Sequence, residues 1–314
     1  MPDRGSTVAD TPDVTVALAC HTERRWASIC AAIRSIGTQT LRPRQVVVAV
    51  DHNGDLAAAL RGEFPEAVVV ENTGPQRGAS STRNAAVAAV TTPVVAFLDD
   101  DEVADPAWLA RLMGPLDDPA VVGTGGRYRP RWPRRQPWWF PAEFGWVVGA
   151  HYRGMPVVTT PVRNVWAGSM AVRVEAFRSV DGFRVDFGKV GNRSQPEDTD
   201  LCVRVARRTG GRWMYVPDAI VDHEVPPSRA TLRFFLRRCF SEGAGKVAMR
   251  GSLDTSQTGV LGAEMSYIRR VVPLAFLRDL ATGRLGRAGV IALGVLASGL
   301  GATAAWLRPV RPAQ

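Results

Sequence analysis

An α/β fold with a mostly parallel central sheet flanked by helices is predicted by three features of the sequence. The chain has 314 residues and is 46% apolar, which is enough for one large domain plus an appendage and too apolar for bulk disorder. Through the first hundred residues, short unbroken apolar runs alternate with stretches of helical spacing. Such a series gives parallel strands joined by crossover helices, with the strands covered on both faces.

Val14 to Ala19 is the first apolar run, and Trp26, Ile29, Ile33 and Ile36 follow at helical spacing. Gln45 to Val50 is the second strand, closed by the turn-forming tetrad Asp51-His52-Asn53-Gly54. Leu56 to Phe64 reads as a helix, Ala67 to Val70 as the third strand, and Gly78 to Val90 as an Ala-rich helix. Val94 to Leu98 is the fourth strand. From Val121 the alternation breaks. Gly123, Gly125 and Gly126 make no dinucleotide fingerprint, and no phosphate-loop motif occurs. Arg129 to Trp146 is rich in Arg, Trp and Pro. Asn164 to Met170 leads to a short helix around Phe177, Gly182 to Gly191 is loop-like, and Pro196 opens a helix. Trp213 to Val216 and Ile220 to Val221 are short strands, with His223 after them. Thr231 to Arg250 is a basic helix, and residues 263 to 283 are an amphipathic one. No internal repeat is present.

Two acidic clusters carry the chemistry. The fourth strand runs straight into Asp99-Asp100-Asp101-Glu102, at the end of a sheet strand where open α/β folds bind ligands. Adjacent carboxylates repel unless a cation offsets them. Hard divalent cations often take one or two carboxylates and fill the shell with phosphate oxygens. One reading is therefore a Mg or Mn site for a phosphate-bearing substrate. The other is a solvated turn capping the helix that starts near Pro106. The second cluster is Glu197-Asp198-Thr199-Asp200. Acids after a proline are ordinary helix-start signals. They are also suited to taking a proton from an acceptor hydroxyl, since the helix dipole favours an ionised carboxylate there. Together the clusters describe a device with one part for a metal and diphosphate and another for a nucleophile.

The formal charge of +9 comes almost wholly from arginine, since Lys189 and Lys246 are the only lysines. This surplus suits anionic partners such as nucleic acid, acidic lipid or nucleotide phosphate. Cys20, Cys30, Cys202 and Cys239 are scattered, which argues against a zinc site or a disulfide framework and fits a reducing compartment. Met1 to Thr11 has no apolar core, so no signal peptide is expected. Ala288 to Leu307 carries no charge, has arginines on both sides, and is long enough to span a bilayer core of about 30 Å. A membrane-inserted or interface-bound helix and a buried packing helix both fit that stretch.

From about Asp13 to Arg250 the chain resembles the family 2 inverting glycosyltransferases of the GT-A fold, with several motifs in the family's order. Leu18-Ala19-Cys20-His21-Thr22-Glu23 stands at the first-strand loop that contacts the nucleotide base, with His21 where many members have Tyr. Asp51 matches the acid that meets the base or ribose. Gly78 with Arg83-Asn84 resembles the Gly-rich segment, although Ser81 and Thr82 replace a smaller pair. Asp99-Asp100-Asp101 resembles the DXD motif, which implies Asp101 on the metal and Asp99 on the ribose or a metal-bound water. Glu197-Asp198 resembles the ED motif, which implies Asp198 as the base. His223 matches a histidine near the metal or diphosphate, and Gly168 a close approach on the sugar and acceptor side.

The resemblance implies a Mn- or Mg-dependent transfer of sugar from a nucleoside-diphosphate sugar to a hydroxyl of a lipid-linked or growing glycan. The implied organisation is a disordered 1–12, a catalytic domain over 13–227 and basic or amphipathic helices over 228–285. A transmembrane or interfacial helix over 286–308 and a tail over 309–314 complete it. Within the catalytic domain, 13–120 is the nucleotide-sugar half and 121–227 the acceptor half. The expected location is the cytoplasmic face of a bacterial cell membrane, and the Arg, Ala, Gly and Val usage fits a GC-rich bacterial genome. Two rivals stand beside it. A nucleotidyltransferase or nucleic-acid binder would use the same acids, with Arg129, Arg131, Arg134 and Arg135 interleaving Trp132, Trp138, Trp139 and Trp146. That segment equally suits a membrane interface, an acceptor wall or surface packing, and the charge-free stretch disfavours nucleic acid. A non-catalytic scaffold is opposed by the intact acid clusters.

Overall fold

The structure is a computed structural model, and it describes residues 13–186, 189–190, 193–194, 197–252 and 265–307. The predicted disordered start, Pro196, residues 263–264 and the 309–314 tail lie outside the described residues.

Two compact units are present. The first comprises residues up to Arg127 together with Pro156–Asp222; the second comprises Tyr128–Met155 and the residues from His223 onward. The Arg/Trp segment, assigned from sequence to an acceptor half, thus belongs with the helices that follow His223.

In the first unit the strands are β1 (Val14–Cys20), β2 (Gln45–Asp51), β3 (Val68–Asn72), β4 (Val94–Asp99) and β5 (Glu102–Ala104). Next come β6 (Val121–Arg131), β7 (Thr160–Val162), β8 (Ser169–Arg173), the small hairpin β9 (Lys189–Val190) and β10 (Arg193–Ser194), and β11 (Arg212–Glu224); β6 from Tyr128 and β11 from His223 belong to the second unit. The helices are α1 (Trp26–Gly37), α2 (Gly54–Glu63), α3 (Ala79–Ala88), α4 (Trp108–Met113), α5 (Val174–Arg178) and α6 (Glu197–Thr209). The main sheet has the order β3-β2-β1-β4-β8-β6-β11-β5, with β7 on β11. As expected, β1 pairs with β2 and β4 in parallel and β2 with β3 in parallel. Beyond β4, β8 pairs antiparallel with both β4 and β6, and β7 antiparallel with β11.

The strand over 121–131 was not foreseen because its glycines hide it. A β-carbon at Gly123 would stand 2.3 Å from the Trp213 ring, one at Gly125 2.2 Å from Val165, and one at Gly126 2.3 Å from the Ala219 carbonyl. Neighbouring groups press so closely on this strand that only glycine fits, and the apolar pattern that marks a strand is lost. His223 likewise lies within one long strand rather than after two short ones.

The second unit holds α7 (Leu232–Ser252), α8 (Val272–Ala281) and α9 (Leu285–Trp306). Its core gathers Phe140, Phe144, Phe235, Val290 and Ile291, with Trp132, Trp139 and Trp146 packed against it. Only Trp138 of that tryptophan group stands out, at 74% exposed. Three of the four are packing residues, which removes the continuous stacking face a nucleic-acid reading needs. Within the core, Glu143 is fully buried and accepts hydrogen bonds from Arg278 at 3.0 Å and Arg153 at 3.4 Å.

All four cysteines are free and buried. Burial pushes the Cys20 and Cys239 thiols up to about 12 and Cys202 well above the usual thiol range.

Candidate active site

Strand order reverses at β1, which lies between β2 and β4. That is the switch point where an open sheet leaves a crevice beyond its carboxyl ends. Ala19 of β1 stands opposite Asp99 of β4, and Asp51 of β2 opposite Asn72 of β3, so the predicted residues collect along one edge.

Asp51 is held from three sides. The Gly78 backbone N–H donates to it at 2.9 Å, Asn72 Nδ2 at 3.0 Å, and its first oxygen meets His52 Nδ1 at 2.7 Å. Burial works to raise its pKa, but these hydrogen bonds outweigh it and hold the carboxyl below the usual carboxylate range. Gly78 starts α3 at φ +110°, a left-handed conformation that favours glycine. In the β1 loop the exposed His21 accepts from Asn53 Nδ2 through its carbonyl at 3.2 Å. Hydrogen bonds from its own backbone and from Asn53 lower the Glu23 pKa.

The first acidic cluster turns tightly. Asp99 ends β4, and Glu102, 1% exposed, begins β5. The Asp99 N–H donates to Glu102 Oε2 at 3.3 Å. Asp99, Asp101 and Glu102 each offer a carboxylate oxygen within 4.8 Å of the others. Gly168 presses on them from the other side: a β-carbon there would stand 2.6 Å from Asp99 Oδ2 and 2.7 Å from Glu102 Oε1. Arg25 ion-pairs with Asp100 at 2.5 Å and with Asp101 at 3.3 Å. Burial pushes Asp100 up to about 6 against the pull of Arg25. Burial, then the charges of Asp99 and Asp101, drives Glu102 well above the carboxylate range.

This donor set fits a hard divalent cation. Three carboxylates converge, and Asp100 Oδ2 is buried with no hydrogen-bond partner among the described residues. A bound cation would offset the mutual repulsion that otherwise favours protonated acids. Carboxylate oxygens suit Mg and Mn alike. The alternative of a solvated cap for the next helix fails, because Asp105 and not the trio accepts from Ala107 N–H, at 3.2 Å.

Arg83 joins the two clusters. Its Nη2 donates to Asp99 Oδ1 at 2.6 Å and its Nη1 to Glu197 Oε1 at 3.4 Å. The guanidinium is buried and lies over the Phe183 ring at 5.6 Å. Asp198 follows Glu197 in the first turn of α6, and its Oδ1 accepts from the Thr199 N–H at 2.6 Å. Burial pushes the Asp198 carboxyl up to about 7, and the Glu197 charge adds to it. Asp200 is committed elsewhere, in an ion pair with Arg204 at 2.7 Å. Asn84 spends both ends of its amide on the Phe183 backbone, at 2.7 and 2.9 Å. His223 sits in the second unit, buried and edge-on to Tyr128.

The description Glycosyl transferase family 2 fits residues 15–181, more than half of the chain. The chain belongs to glycosyltransferase family 2. This family 2 glycosyltransferase is 30% identical over 240 residues to a glucosyl-dolichyl phosphate glucuronosyltransferase of Haloferax volcanii, covering 75% of this chain and 77% of that one. It is 24% identical over 291 residues to the succinoglycan biosynthesis protein ExoM of Rhizobium meliloti, covering 88% and 90%. Among solved structures, a mannosyltransferase from Pyrobaculum calidifontis in complex with GDP-Man and Mn2+ superposes with a TM-score of 0.61 at 20% identity, covering 94% of this chain and 88% of that one. That likeness places the fold of the family 2 chain with the GT-A type.

Sequence reasoning missed Arg25, His52, Asn72 and the place of Glu102 beside Asp99 and Asp101. Arg25 carried no spacing signal, because its partners lie 75 and 76 positions away. Glu102 was visible in the acidic run but read only as its tail.

Proposed function

We propose that this glycosyltransferase is metal-dependent and inverting. It moves a hexose from a nucleoside-diphosphate sugar to a hydroxyl of a lipid-linked or growing glycan, at the cytoplasmic face of a cell membrane. The observation that carries the reading is the Arg83 bridge, which brings the cluster suited to a cation and the cluster suited to a base onto one guanidinium. The Mn2+ and GDP-Man in the Pyrobaculum complex support the donor and the cation. The names of the Haloferax and Rhizobium relatives support a lipid-linked or glycan acceptor.

In this reading Asp101 is the principal ligand, with Asp99 and Glu102 beside it. When bound, the cation offsets charge developing on the leaving diphosphate. Ala19, His21, Glu23, Asp51 and Gly78 receive the nucleoside, and Asp51 arrives ionised to accept its hydroxyl or base hydrogens. Arg83 keeps Asp99 and Glu197 from repelling one another. Gly168 leaves room for close approach at the sugar. Asp198 takes the proton of the acceptor hydroxyl as its oxygen attacks the anomeric carbon, opposite the departing phosphate oxygen. One bond forms and one breaks in a single displacement, so the configuration inverts. No protein nucleophile is required.

The test is transfer of labelled sugar from a panel of nucleoside-diphosphate sugars, with Mn2+ or with chelator, by the wild type and by Asp198→Asn. The reading expects Mn2+-dependent sugar transfer, and an Asp198→Asn variant that binds donor but does not transfer. Transfer of the nucleotide rather than the sugar would reject it.

A further inference from the structure

Helix α9 is the one described helix long and apolar enough to cross a membrane. Its surroundings argue that it does not cross. One side of α9 is packed on α7 at backbone distance. A β-carbon at Gly301 would stand 1.9 Å from the Phe240 carbonyl oxygen, and one at Gly243 1.9 Å from that of Ser298. Ser298 Oγ donates to the Cys239 carbonyl at 3.1 Å, and Gly294 faces the Phe235 ring. Residues 235 to 243 of α7 therefore lie against residues 294 to 301, the middle of α9. That stretch of α7 carries the exposed Arg237 and the ion pair of Arg238 with Glu242 at 3.0 Å, which Lys246 also joins at 3.4 Å. Were α9 to span the bilayer, these charges would be carried to mid-depth, where charged groups are costly and rare.

The other side of α9 is an open apolar stripe. Leu285, Leu293, Leu296 and Leu300 recur at steps of three, four and eight and are all exposed, the last two at 62% and 65%. Helix α8 adds Leu274 and Leu277, both exposed. Exposed Trp138 and Trp306 and the exposed Arg233, Arg237 and Arg284 belong to the same unit. Leucines on one face, with Arg284 and Trp306 at the two ends of α9 and Trp138 against Gly286, are what a helix lying in the headgroup plane requires. The positive charge selects an anionic surface.

We propose that α8 and α9 form a monotopic foot, lying along the surface of an anionic phospholipid bilayer with the leucine stripe inward. This rests on the membrane-surface part of the reading above, and it decides between lying on the bilayer and passing through it.

The full chain is tested in two ways. First, flotation with vesicles of phosphatidylcholine and phosphatidylglycerol is compared with phosphatidylcholine alone, for wild type and for the double variant Leu296→Glu, Leu300→Glu. Expected is binding that prefers the anionic vesicles and weakens roughly tenfold or more in the double variant, with nucleotide-sugar binding unchanged. Second, Arg284→Cys and Gln314→Cys are labelled with an impermeant maleimide in sealed membrane vesicles from the expressing cell, inverted and right-side-out. Expected is labelling of both positions in the same vesicle orientation. Labelling in opposite orientations would establish a span and overturn the foot while leaving membrane association standing. No flotation with either vesicle would remove membrane association itself. Disulfide capture of a second copy through Leu296→Cys without lipid would make the stripe a dimer face and also overturn the proposal. None of these outcomes bears on sugar transfer, which is assayed separately.

Discussion

Arg83 and Asp99 meet at 2.6 Å, and the same guanidinium reaches Glu197 on α6. A planar fork can serve two carboxylates at once, whereas a single ammonium cannot do so with the same geometry. Arg83→Lys is expected to keep the fold and lose transfer by about a hundredfold. Arg83→Met leaves two partly buried acids without their partner and is expected to cost about 1–3 kcal/mol in urea unfolding. A methionine variant of wild-type stability and activity would show that the bridge is incidental.

The acid limb of the pH–rate profile should belong to Asp198. Its carboxyl is raised to about 7 by burial and by the Glu197 charge, and a base works only when unprotonated. In the free enzyme, kcat/KM is expected to rise about tenfold per pH unit up to that point and to level off above it. Asp198→Asn should show no such limb and about a hundredfold or greater loss of rate. A flat profile through pH of about 6 in the wild type would remove Asp198 from the role.

Stability of the metal-free protein should fall as pH rises. Glu102, Asp100 and Asp198 are all raised, the latter two to about 6 and about 7. Above the ordinary carboxylate range the unfolded chain has released these protons while the folded protein still holds them. The folded state therefore binds more protons, and stability is lost as pH climbs through the raised values. Thermal melts in chelator should show a lower Tm near pH 8 than near pH 5.5 (both about). Mn2+ should stabilise more at the higher pH, since it replaces those protons. Glu102→Gln should reduce the pH dependence; equal slopes in variant and wild type would exclude Glu102 as its source.

Gly168→Ala probes how tightly the acidic trio is held. The added carbon cannot coexist with Asp99 Oδ2 and Glu102 Oε1 where they stand. Mn2+ affinity, read by electron paramagnetic resonance, is expected to fall about tenfold or more, while circular dichroism stays unchanged. Unaltered Mn2+ binding would mean that Asp99 and Glu102 are not both ligands.

The parallel half of the sheet was legible because its strands are continuous apolar runs, and Asp99 was legible because it ends one of them. The turn-forming tetrad marked where the second strand stops, and only the family resemblance singled out Asp51 within it. What stayed hidden depends on contacts that cross the fold. The glycines of β6 make sense only once Trp213, Val165 and Ala219 press on them. Pro217 split β11 into two apparent pieces, since a residue lacking an N–H reads as a break. The tryptophans stayed open between an interface, an acceptor wall and packing because sequence does not show that Phe140, Phe144 and Phe235 lie behind three of them. Arg25 is one arginine in a chain full of them, and only the turn around Asp100 and Asp101 sets it apart; Arg83 stood out by its motif, but its bridge to Glu197, 114 positions away, did not.

The four sequestered sulfurs have a practical meaning. A thiol deep in apolar surroundings with a raised pKa offers almost no thiolate to alkylating or oxidising reagents at neutral pH. Native protein should keep its sulfhydryls through handling in air, and a cysteine engineered onto its surface would report without competition from its own.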